Sequence, residues 1–209
     1  LMTSSKALSF VPLLAELGAD LGLFTEKQRG GLGCTFRGVF FQLVCNTIRK
    51  DKFEEEGSGK LDELSTAVMM RLKEKGLMKK EDIFNHNLVN LLLLKKAVYD
   101  DKLFIEKRFR FLIDWDPYIL MECVSSSYLL YHFVRLLGAT NNGQILPGNL
   151  QKFRLILELG LLYFPLELGF VFHKNKFYRS TFSLACEKFG AEPIKELIDD
   201  EISNYLKQN

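Results

Sequence analysis

Apolar positions along the chain recur at intervals of three and four rather than two, the spacing that gathers side chains on one face of a helix. The clearest stripe lies in "DELSTAVMMRLKEKG" (62–76), where Leu64, Val68 and Leu72 align, joined by Ala67 and flanked by Met69 and Met70. "KLFIEKRFRFLIDW" places Ile105, Phe109, Leu112 and Ile113 on one side and stops at Pro117. "GVFFQLVCNTIRK" (38–50) has similar spacing, and "EDIFNHNLVNLLLL" (81–94) opens with two acids, which suit a helix N-terminus. Thr25 and Gln28 form a capping-box pair. "SYLLYHFVRLLG" and "GNLQKFRLILELG" read as an antiparallel pair across the polar turn "ATNNGQILPG". "STFSLACEKFG" and "AEPIKELIDDEISNYLK" are the last two helices. Two-residue alternation is confined to "RFRF". The pattern predicts an all-α protein, an irregular stack of antiparallel helix pairs built from about ten short helices.

A short phrase recurs at three predicted helix ends: "LAELG" (14–18), "LKEKG" (72–76) and "ILELG" (156–160), with "RLLGAT" (135–140) a looser copy. Glycine ends helices because it enters the left-handed region without a Cβ clash. Gly18, Gly76 and Gly160 are therefore expected just past helix ends, and Gly190 in the turn of the last pair. The copies are irregularly spaced, unlike a strict solenoid.

"LILELGLLYFPLELGFVF" (155–172) is the most apolar stretch. A membrane span needs about 20 apolar residues, and here Glu158, Pro165 and Glu167 interrupt. Two short buried helices are expected, with Phe164 and Phe172 inside. "KDKFEEEGSGKLDE" (50–63) has linker composition. It suggests an N-terminal helical unit over 1–50, a flexible acidic and Gly-Ser loop over 51–62, and a main array over 63–209, or one continuous domain over 1–209.

The 209 residues suffice for a sizeable core, and 18 phenylalanines predict that it is rich in rings. A net charge of +2 argues against a surface built to neutralise many phosphates, so no nucleic-acid partner is expected. Arg108, Arg110, Lys95, Lys96, Lys102 and Lys107 lie among Asp100, Asp101, Glu106 and Asp114, the mixture of a solvated rim. The "GSGK" at 57–60 is too short for a phosphate loop and follows three glutamates. Cys34, Cys45, Cys123 and Cys186 form no C-x-x-C pair, which reads as free thiols in an intracellular, soluble protein. "LMTSSKALSF" lacks the features of a secretory signal, and no targeting is read from it.

His86, His132 and His173 lack metal-site spacing, so neither metal nor cofactor is expected. His132 reads as a core histidine and His173 as a turn residue. Asp114 and Asp116 are two apart and do not share a helix face, which weakens an acid–base pair. Asp116 with Pro117 instead ends one helix and begins another. Trp115, the single tryptophan, is a candidate interface anchor, with Arg108 and Arg110 as candidate interaction residues.

"STFSLACEKFGAEPIKELI" resembles the helix pair of an ankyrin repeat. Ser180, Phe182, Ala185 and Cys186 match the first helix, Gly190 the turn, and Ile194 with Ile198 the second. Thr181 stands where the repeat has proline, Ser183 where it has histidine, and one extra residue precedes the glycine. "LGLFTEKQRGGL", "RFRFLIDWDP", "GFVFHKN" and "LACEKFG" together are similar to diatom-type ankyrin-like proteins with degenerate repeats. The resemblance implies stacked helix pairs and a protein-binding role, and no reaction. The departures put the usual β-finger of such repeats in doubt.

The expected function is a non-catalytic protein–protein interaction module or scaffold subunit of a larger complex. The alternative is a small helical enzyme or ligand-binding domain, its pocket lined by His132, His173 and Cys186.

Overall fold

Helix follows the three-and-four spacing wherever a computed structural model of the chain describes it: residues 9–23, 43, 55–80, 106–121, 129–137, 147–175 and 177–208. The helices are α1 (Val11–Asp20), α2 (Glu55–Glu74), α3 (Glu106–Trp115), α4 (Leu129–Leu137), α5 (Pro147–Tyr163), α6 (Thr181–Phe189) and α7 (Ala191–Gln208). A first 3-10 turn spans Pro117–Met121 and a second Pro165–Phe170. Among the described residues the only extended pairing is an isolated antiparallel bridge between Lys174 and Ser180. The protein is all-α to that extent. The helices expected over 38–50 and 81–94 and the Thr25–Gln28 box lie outside the described residues, Leu43 excepted.

The chain forms two compact units, one of Leu1–Leu92 with Ile105–Trp115, the other of Leu93–Phe104 with Asp116–Asn209. None of the three boundaries falls at the loop expected over 51–62, which is helical from Glu55 onward. Among the described side chains of α2 burial begins at Leu61, just past the Gly-Ser-Gly segment, whose own helix propensity is weak. The buried stripe is rotated from the expected one: Leu61, Ser65, Val68 and Leu72 point inward with Met69, while Leu64 is half-buried and Ala67 exposed.

In the first unit α2 packs against α1 and against α3. Asp62 of α2 ties down the start of α3. Its carboxylate accepts from the backbone N–H of Lys107 at 2.8 Å and of Arg108 at 3.4 Å, two first-turn donors that α3 itself cannot satisfy. The same carboxylate takes the Arg108 Nε–H at 2.7 Å, and the Arg108 guanidinium donates to the Leu43 carbonyl at 3.0 Å. Arg108 is 1% exposed. Around this clamp sit Phe109, Leu112 and Ile113, all fully buried.

The glycine phrase does not repeat as structure. Gly76 behaves as expected: φ is +69°, Gly76 N donates to the Lys73 carbonyl and Leu77 N to the Leu72 carbonyl, a paired closure of the last turn. Gly18 does not end α1; it is buried within it, and the same closure falls at Gly22, where φ is +63° and Leu23 N reaches the Gly18 carbonyl. Gly160 lies inside α5 and is buried. Gly190, with φ +92°, does mark the turn between α6 and α7.

In the second unit α4 packs on α5, α6 and the first 3-10 turn, while α7 packs on α5 and α6. The core contains Phe133, Val134, Phe153, Ile156, Leu157, Ala185 and Ile194. Rings are prominent here, as their number in the sequence predicted; Phe153 and Phe189 meet with centroids 6.2 Å apart.

Candidate functional site

The apolar stretch 155–172 is one helix end and a sharp reversal. After Tyr163 the chain turns at Phe164, whose N–H donates to the Gly160 carbonyl at 2.8 Å, and Pro165 opens the second 3-10 turn. Leu168, Gly169 and Phe170 then lie consecutively in the left-handed region, with φ of 45°, 58° and 67°. Two of these are not glycine, and each such residue costs roughly 1–2 kcal/mol. The reversal brings the chain back onto α5, backbone against backbone. A Cβ on Gly160 would stand 2.9 Å from the Gly169 Cα, and one on Gly169 would stand 3.2 Å from the Leu157 carbonyl oxygen. Gly160 is thus a contact residue, not a helix stop.

Packing on both sides holds the strained run in place. Phe170 is buried, its ring 5.1 Å from Phe164 and 5.7 Å from His173 between centroids. Phe164, half-buried, also meets Tyr118 at 5.9 Å. The Phe170 carbonyl accepts from the Thr181 hydroxyl at 3.3 Å, and the Val171 carbonyl from Phe182 N at 2.8 Å. Phe172, expected inside, is 47% exposed, because the reversal turns it outward against Phe182.

A small finger follows. The Lys174–Ser180 bridge closes it, and Asn175 orders its tip: Asn175 Oδ1 accepts from Phe177 N at 2.9 Å and Arg179 N at 3.0 Å. Asn175 N donates to the Arg179 carbonyl, and Tyr178 N to the Asn175 carbonyl, both at 2.9 Å. Tyr178 has φ +61° and is 84% exposed; Phe177 is 69% exposed. Ser180 caps α6 by accepting from Ser183 N at 3.1 Å. Leu166, Leu168, Phe172, Phe177 and Tyr178 thus all present apolar surface from one short segment. His173 Nε2 lies 2.5 Å from the Glu167 carboxylate, and Arg179 pairs with Glu187.

The other candidates are placed differently. Arg108, expected at the surface, is instead buried in the first unit and paired with Asp62. Arg110 pairs with Glu106 one turn back at 2.8 Å. Trp115 is half-buried beside Phe111, with the Lys73 ammonium 5.0 Å from its ring centroid. Cys186 on α6 is half-buried, and that burial pushes its thiol pKa up, opposite to the shift an activated nucleophile needs. His173 meets Phe170 and Glu167; the side chain of His132, and His86, lie outside the described residues. Among the described residues no group of three or more His, Cys, Asp or Glu side chains could hold a metal ion. No described helix is long and apolar enough to cross a membrane.

One groove of about 320 Å³ runs between α5 and α7. Across it Arg154 Nε donates to Glu201 at 2.5 Å and the guanidinium lies 3.6 Å from Asp200; the Glu201 hydrogen bond raises the Arg154 pKa. The guanidinium and these carboxylates satisfy one another, an arrangement that joins two helices. No family model, no curated protein and no solved structure matches this chain.

Proposed function

We propose that the chain is a non-catalytic protein-interaction module, or a scaffold subunit of a larger complex, that binds a protein partner through the corner and finger of residues 164–180. The observation that carries this reading is the outward aromatic pair Phe177 and Tyr178, held on a backbone closed by Asn175 and strained at Tyr178. Strain of this kind persists where surrounding contacts over-determine it, and it clusters at ligand clamps. An ordered aromatic tip loses little entropy on docking, which favours it as an interface anchor.

The finger, the helix pair α6–α7 and the turn at Gly190 fit a degenerate ankyrin-like unit, and stacked units of this kind build extended binding surfaces. The free thiol of Cys186 fits an intracellular setting. Against the enzyme alternative stand the contact of His173 with Glu167 and the burial of Cys186, which raises its thiol pKa.

The test is affinity capture with the wild-type chain and with Phe177→Ser/Tyr178→Ser, followed by a sizing column. A partner that co-elutes with the wild type and with Trp115→Ala, and is lost from the finger variant, is expected. Recovery of the wild type without a partner, or of the same partner by the finger variant, overturns the reading.

A further inference from the structure

Helix α1 is built inside out. It buries its small residues, Ala15 and Gly18, together with Val11 and Pro12, and exposes its large ones. Phe10, Leu13, Leu14, Leu17 and Leu21 are between 46% and 68% exposed. A helix on a protein surface ordinarily does the reverse. Phe10, Leu14, Leu17 and Leu21 follow one another at intervals of four, three and four, the spacing of a helix–helix seam, beside the face that packs on α2.

The occupant is indicated by three features. The seam carries no charge: Glu16 and Asp20 lie on the opposite flank, and Glu16 is paired with Lys75. The helix has no lysine or arginine, which disfavours an anionic lipid surface. The spacing also reads the same in both directions, so an antiparallel copy sets Phe10 against Leu21 and Leu14 against Leu17, as a two-fold interface requires. The exposed apolar area is on the order of 600 Å² per copy, or about 1,200 Å² in a pair, the lower edge of stable interfaces.

We propose that α1 is the seam of an antiparallel two-fold homodimer. The large residues outside complete a second apolar layer only when another copy arrives. This proposal is independent of the partner assigned to the finger.

Sedimentation equilibrium of the full chain between 1 and 100 µM tests it. The wild type is expected to be a dimer in the upper part of that range, and Leu14→Glu/Leu17→Glu a monomer with unchanged far-UV circular dichroism. Should the double variant lose helix, Leu17→Gln is read instead, with dimerisation expected to weaken about tenfold. Leu166→Glu, at a site 97% exposed in the other unit, should leave the dimer intact. A wild-type monomer at 100 µM, a dimer that survives Leu14→Glu/Leu17→Glu, or loss of the dimer in Leu166→Glu overturns the proposal. So does binding of the wild type, but not the double variant, to phosphatidylserine vesicles.

Discussion

In the first unit a long helix receives its neighbour through charge. Asp62 on α2, itself buried, accepts two first-turn N–H groups of α3 and the guanidinium of Arg108. In the second unit the long helix α5 receives the returning chain through missing side chains, with Gly160 and Gly169 letting backbone touch backbone. The first arrangement fails when an atom group is removed, because a buried partner is left without its counter-charge. The second fails when one is added, because the neighbours are main-chain atoms that no rotamer can clear.

The largest effect is expected at the charged contact. Asp62→Ala should destabilise the first unit by about 3–5 kcal/mol, the usual consequence of breaking a buried pair. It should appear in urea denaturation as a lower midpoint. Asp62→Leu with Arg108→Met should recover only part of the loss: the apolar pair removes the uncompensated charge but leaves the first-turn N–H groups of Lys107 and Arg108 without their acceptor. A loss below about 1 kcal/mol in Asp62→Ala would show that apolar packing alone docks α3.

Gly160→Ala comes next, at about 1–3 kcal/mol, the range for forcing a methyl into a filled contact. The added carbon would meet Gly169 Cα at 2.9 Å and its carbonyl oxygen at 3.2 Å. A lower melting temperature with loss of near-ultraviolet aromatic signal is expected, because Phe164 and Phe170 pack in the same corner. A neutral result would mean that the reversal lifts off α5 at little cost.

These two contacts were unequally legible in the sequence. The three-and-four spacing led to α3, α5, α6 and α7 because burial of one face decides each of them. Arg108 read as a surface cation because "EKRFRF" says nothing of Asp62, its partner 46 positions earlier. The repeated glycine phrase misled because it stops before the deciding residues. Gly76 stands just past the end of α2 and is followed by Leu-Met-Lys-Lys, whereas after Gly160 the run Leu-Leu-Tyr continues the helix. The finger was not read at all: "HKNKFYRS" has no period, and its order comes from Asn175 closing a turn and Ser180 capping α6.

Gly76, just past the end of α2, and Gly59, inside it, carry the comparison to a finer scale. Gly76→Ala should destabilise by about 1 kcal/mol through its left-handed φ alone, because a Cβ there would meet nothing within 4 Å. Gly76→Asn should cost less, since asparagine tolerates that conformation better. Equal losses for alanine and asparagine would point to a contact rather than to the backbone.

Gly59→Ala is the smallest effect and has the opposite sign. Gly59 also has open space around a built Cβ, but it lies inside α2, exposed, without the positive φ of Gly76. Alanine there restricts the unfolded chain without straining the folded one, and should stabilise by about 0.5–1 kcal/mol. Urea denaturation of Gly59→Ala beside Gly76→Ala measures both against the same host. Stabilisation by the first and loss by the second is the pair of signs that conformation alone dictates. Destabilisation by Gly59→Ala would mean that the start of α2 needs the freedom of glycine, and that the Gly-Ser-Gly segment is not settled as helix in solution.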